Sequence, residues 1–193
     1  ALGQWIESIP GSSQISASFI AGDTRERAIQ TAQGLIKRGF SVAFCYLGEE
    51  IREQKEAEAA TNEYQLLISS IGETGFGTNA SIAIKPSLLG VHLNADRASE
   101  YLLEIADAAQ KEKMAIEIDM ERSDLVDDIL TMYHRIQDTY PQTVIAIQSY
   151  LFRSNSDLDT LITQKSANIR LVKGGYRENE KLALQSDSSI QSA

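Results

Sequence analysis

Five short apolar runs recur along the chain, SVAFCYL, SIAIK, MAIEID, TVIAIQ and NIRLVK, each followed by a stretch with helical spacing. Helices are expected from about Glu49 to Ser70, from near Asn94, Ser123 and Asn155, and, incompletely, after NIRLVK. A further helix precedes the first run in DTRERAIQTAQGLIKRG, where Asp23 or Thr24 can cap it and Gly39 can end it. Strands alternating with helices predict repeated βα units and a parallel sheet. Two architectures contain that pattern: an open doubly wound sheet and a (β/α)8 barrel.

Strand parity separates them. Side chains alternate faces along a strand. Ile82 and Ile84 oppose Ser81, Ala83 and Lys85; Ile116 and Ile118 oppose Ala115, Glu117 and Asp119. Ile145 and Ile147 oppose Ala146 and Gln148, while Ile169 and Leu171 oppose Asn168, Arg170 and Val172. Four consecutive strands thus carry one bulky apolar face and one small or polar face. An open sheet covered by helices on both sides needs two apolar faces. A barrel of the (β/α)8 TIM type, with helices outside and a ligand at its carboxyl-end mouth, fits better. Lys85, Asp119, Gln148 and Arg170 fall at or near the carboxyl ends. Two cations, a carboxylate and an amide suit an anionic or redox-active ligand. Glu117 with Arg170, or Asp119 with Lys85, could equally form structural ion pairs. Lys173 falls off the inward parity, and Gly174 and Gly175 would let a large ligand approach the backbone.

Composition narrows the classes. A net charge of −9 over 193 residues argues against a nucleic-acid binder. No apolar run approaches the ~18 residues of a membrane helix, and the opening ALGQWIESIP lacks the basic segment of a secretory signal. The single cysteine, Cys45, fits a reducing cytoplasm and is expected as a small buried hydrophobe. His92 and His134 lack metal-ligand spacing and are expected at the surface. GETGFG leads into a strand rather than a helix, so it reads as a plain loop. No composition shift or linker divides the chain. Residues 1–40 are read as an amino-terminal segment and helix packing on the barrel, and 41–193 as the partial barrel.

Taken in series, FIAGDTRERAIQTAQGLIKRGFSVAFCYLGEE, IAIKPSLLG, IEIDMERS, VIAIQSYLFRS and IRLVKGGYRE resemble the proline dehydrogenase family, from about Phe19 to Gln185. The resemblance implies a (β/α)8 flavoenzyme that oxidises L-proline to pyrroline-5-carboxylate, passes a hydride to FAD and reduces a quinone. It implies substrate binding by Lys85 and Tyr176, catalytic positions at Asp119 and Arg170, and FAD contacts at Met120, Gln148, Arg170, Lys173, Gly174 and Gly175. A cytoplasmic location is expected, with peripheral contact on the inner face of the membrane, and oligomerisation is left open.

The departures concern extent. Only about five βα units are expected here, so the chain reads as the amino-terminal five-eighths of such an enzyme. The paired arginines with which the family holds the proline carboxylate have no Arg-Arg match in this chain. Five strands alone are expected to bind FAD poorly and to self-associate through their open edges. Two rivals stand beside this reading: a Schiff-base barrel lyase using Lys173 or Lys85, and a non-catalytic truncated homologue serving as a binding module.

Overall fold

The computed structural model describes residues 20–48, 51–163, 167–186 and 189–190, so ALGQWIESIP lies outside the described residues. The described residues form two compact units, divided between Val42 and Ala43. Helix α1 (Arg25–Ile36) belongs to the first. Thr24 Oγ1 accepts the Arg27 N–H at 3.3 Å, and Gly39 past its end adopts φ +90°. Both ends follow the expected punctuation.

The alternation then continues as β1 (Val42–Cys45), α2 (Gln54–Gly72), β2 (Ala80–Ile84), α3 (Ala95–Lys111) and β3 (Ala115–Ile118). It goes on through α4 (Val126–Ile136), β4 (Val144–Gln148), α5 (Ser154–Ile162) and β5 (Asn168–Val172). GETGFG is a loop and short 3-10 turn leading into β2.

The strands lie in the order β1-β2-β3-β4-β5. The pairings β2–β3, β3–β4 and β4–β5 are all parallel. A doubly wound sheet reverses direction at a switch point and puts its first strand inside. No reversal occurs here, and β1 and β5 form the two edges among the described residues. This is the winding of a (β/α)8 barrel, present over five units.

The outer face is the core. Ile82, Ile84, Ile118 and Ile145 are fully buried, as are Ile68 and Ile71 of α2, Leu102 and Ile105 of α3, and Ile129 of α4. Helix α2 packs on α3, and α3 on α4. Each such side chain stabilises the fold by about 1.5–3 kcal/mol relative to exposure. Two buried tyrosines fasten strand ends: Tyr64 Oη accepts the Lys85 N–H, and Tyr133 Oη accepts the Asn168 N–H, both at 3.3 Å. Burial pushes both phenols above their ordinary range.

Parity fails to bury the outer face of β5, where Leu171 is 60 % exposed. β5 is a sheet edge, and residues 173–185 run on as loop and turns rather than as a covering helix. Ala183 instead makes an antiparallel bridge to Leu151. His92, expected at the surface, is half-buried because its Nε2 meets Ile51 O at 2.9 Å.

Candidate active site

Pro86 sets the end of β2. A residue before proline is driven out of the helical region, and Lys85 is extended at φ −96°, ψ 111°. Pro86 then opens a 3-10 turn, Pro86–Leu89, closed by Gly90 at φ +78°. Lys85 is left half-buried on the inner face, after Ser81 and Ala83.

β3 continues its ladder one step further, since Asp119 N–H donates to Ile84 O at 2.9 Å. On β5, Arg170 pairs in register with Ala146. The small alanine leaves room beside it, so the guanidinium crosses β4 to reach β3. Arg170 Nη2 donates to Asp119 Oδ1 at 2.6 Å, and Arg170 Nε lies 3.3 Å from Glu117 Oε2. The second contact lacks hydrogen-bond alignment, and Nε is buried without an acceptor. Glu117 accepts from Ser81 Oγ at 2.5 Å. A line of contacts therefore runs Ser81–Glu117–Arg170–Asp119 across three strands. Of the two ion pairs weighed from sequence, Glu117–Arg170 is present. Asp119 pairs with Arg170 instead of Lys85, which forms no ion pair among the described residues. The Arg170 side chain remains 40 % exposed and that of Asp119 26 % exposed, so both stay reachable. Pairs this open contribute about 0–1 kcal/mol to stability; their larger consequence is a fixed guanidinium.

Cys45 is exposed, contrary to the expectation of a buried hydrophobe. Phe44 takes the buried face of β1, which turns Cys45 to the opposite side, into the field of Lys85, Asp119 and Arg170. Partial burial pushes its thiol up, opposed by the two cations.

Sequence reasoning missed Glu121, although inward parity continued two residues past Asp119 would have found it. The residue is 4 % exposed. Its Oε2 accepts the Ser87 N–H and its Oε1 the Ser87 hydroxyl, both at 2.6 Å. Its backbone oxygen accepts the Gln148 amide N–H at 2.7 Å. Burial pushes the Glu121 carboxyl above the ordinary 4.5, against the pull of the Ser87 bonds and the Lys85 charge. Above 4.5 the unfolded chain has lost a proton that the folded chain still holds. Stability linked to Glu121 is therefore complete below that value and is lost as pH rises through the raised one. Urea midpoints measured across this range should fall with rising pH, and the slope should flatten in Glu121→Gln. An unchanged slope in the variant would contradict the assignment.

The remaining expected residues are distributed as follows. Met120 and Gln148 are buried. Tyr176 is 40 % exposed, and its phenol is pushed up by burial and then by Glu121 and Asp119, which brings it to the same mouth. Lys173 begins the loop after β5, and its carbonyl accepts the Tyr150 N–H at 3.2 Å. Gly174 adopts φ +102°, and a Cβ there would overlap the Tyr150 ring. That side is thus filled by Tyr150. Of these two glycines, Gly175 is the one that faces open space.

Fold and site together define a parallel βα barrel protein with a charged carboxyl-end mouth. A family model described as proline dehydrogenase matches residues 28–190. Proline dehydrogenase 1 of Bacillus subtilis (strain 168) is 32% identical over 86% of this chain and 54% of its own length. Proline dehydrogenase 2 of the same strain is 29% identical over 93% of this chain and 58% of its own length. A crystal structure of proline utilization A (PutA) from Bdellovibrio bacteriovorus, inactivated by N-propargylglycine, superposes with a TM-score of 0.77 at 18% identity. It covers 84% of this chain and 20% of that one, and the likeness is one of fold. The chain belongs to the proline dehydrogenase family, which is generally flavin-dependent. It spans about half the length of the curated relatives it matches.

Proposed function

We propose that this barrel mouth serves an FAD-dependent proline dehydrogenase, which oxidises L-proline to pyrroline-5-carboxylate and passes the electrons to a quinone. The observation that carries the reading is Arg170, fixed between Glu117 and Asp119 yet still open to the mouth. The residues fit a flavin. Arg170 Nε–H is a buried donor without an acceptor, and Gly175 has open space beside its Cα. When bound, FAD supplies the hydride acceptor.

The roles of this chain's own residues follow from their chemistry. Lys85 presents an ammonium to the substrate carboxylate, and Tyr176 stands on the substrate side. Asp119 holds the Arg170 guanidinium in place through its hydrogen bond. Arg170 offers positive charge where reduction gathers negative charge, the kind of preorganised contact that lowers a barrier most. Met120, Gln148, Lys173, Gly174 and Gly175 would hold the cofactor, Gly174 through its backbone, because the Tyr150 ring fills the side a Cβ would take. Among the described residues no helix is long and apolar enough to cross a membrane. We place the protein in the cytoplasm, with peripheral contact at the membrane where a quinone is reached.

Purification of the protein at its natural length tests this reading. The expected result is a yellow protein that releases stoichiometric FAD on denaturation. Colourless protein that gains no flavin absorbance on adding FAD would oppose it.

A further inference from the structure

Two loops at the mouth are fastened in the same way. Ser87 in the loop after β2 gives its N–H and hydroxyl to the two oxygens of Glu121. Ser123 in the loop after β3 gives its N–H to Glu178 Oε1 at 2.8 Å and its hydroxyl to Glu178 Oε2 at 2.6 Å. Both serines stand at the start of 3-10 turns, Pro86–Leu89 and Ser123–Leu125. Backbone N–H groups there have no partner within the turn, and a carboxylate accepts them strongly.

The second clamp joins residues 55 positions apart. It binds the loop after β5, which carries Gly174, Gly175 and Tyr176, to the loop after β3, which follows Asp119. Other hydrogen bonds of that loop lead to the segment after β4. Tyr150 Oη donates to Tyr176 O at 3.1 Å, and Leu184 N–H donates to Tyr150 O at 2.8 Å. Glu178 supplies a two-bond side-chain tie on the β3 side.

We propose that Glu178 is a positioning residue: acting through Ser123, it sets where Gly175 and Tyr176 stand relative to Asp119. Its consequence for turnover rests on the proposed function, whereas the clamp itself does not. Small displacements of positioning groups are costly, of order 10²-fold in rate for about 1 Å. Glutamine is the informative replacement. Its amide oxygen can accept the Ser123 N–H and its amide nitrogen can donate to the hydroxyl, so Glu178→Gln keeps the geometry without the charge.

The test uses the protein at its natural length, with hydrogen–deuterium exchange over 120–126 and 173–183 and steady-state kinetics with L-proline. Glu178→Ala should speed exchange in both segments and lower kcat/KM for L-proline by roughly 10- to 10²-fold. Glu178→Gln should restore both. Adding Ser123→Ala to Glu178→Ala should change little further, because the two act as one unit. Glu178→Gln behaving like Glu178→Ala would mean that charge, not position, is at work, and would overturn the proposal. So would unchanged exchange in Glu178→Ala. If the parent protein does not oxidise L-proline, the functional reading fails, and the exchange arm still decides the clamp.

Discussion

Arg170→Met in the protein at its natural length should slow reduction of the bound flavin by L-proline about 10²–10³-fold. It should also lower the flavin reduction potential. The side chain is positioned by two acids on β3, and methionine retains the bulk beside Ala146 while removing the charge. Glu117 and Asp119 would then lose the guanidinium that stands between them, so a modest loss of stability should accompany the kinetic loss. Arg170→Lys separates the two effects. One ammonium restores the positive charge beside the acids, but it cannot reproduce the planar fork that reaches both. Stability should recover further than rate. A normal rate of flavin reduction in Arg170→Met would remove this residue from the catalytic set.

The second large effect is conformational. Gly174→Ala should destabilise the fold by several kcal/mol, from about 1–2 for the left-handed backbone and about 1–3 for overpacking. Gly174 has φ +102°, and the added methyl would meet the Tyr150 ring. Gly175→Ala is the control, since nothing lies near its Cβ position, and its stability should be close to the parent's. Combining Gly174→Ala with Tyr150→Ala should relieve the overlap but not the backbone strain. Thermal melts of the three variants check this. Equal stabilities for Gly174→Ala and Gly175→Ala would contradict the described loop.

The sheet was legible because its rule is local. Ile82 against Ala83, and Ile118 against Glu117, declare their faces from neighbours in sequence, and both faces came out as parity requires. Arg170 was legible for the same reason, as a charge at an inward position. Its partner was not. Whether Asp119 pairs with Lys85 or Arg170 depends on Ala146 leaving a path across β4, which is a matter of register between strands. Leu171 misled because burial needs a covering element as well as a face. Cys45 misled because residue type was weighed ahead of parity. The clamps Glu121–Ser87 and Glu178–Ser123 join residues 34 and 55 positions apart, and no periodicity marks such pairs. Gly174 was read as room for a ligand, yet its φ and the Tyr150 ring already account for a glycine there.

The most direct test of the central claim is an anaerobic titration of the protein at its natural length with L-proline, followed by flavin absorbance. The account predicts that the flavin bleaches as L-proline is added, that pyrroline-5-carboxylate appears in equal amount, and that a quinone restores the colour. Bound flavin that stays oxidised at saturating L-proline would contradict it.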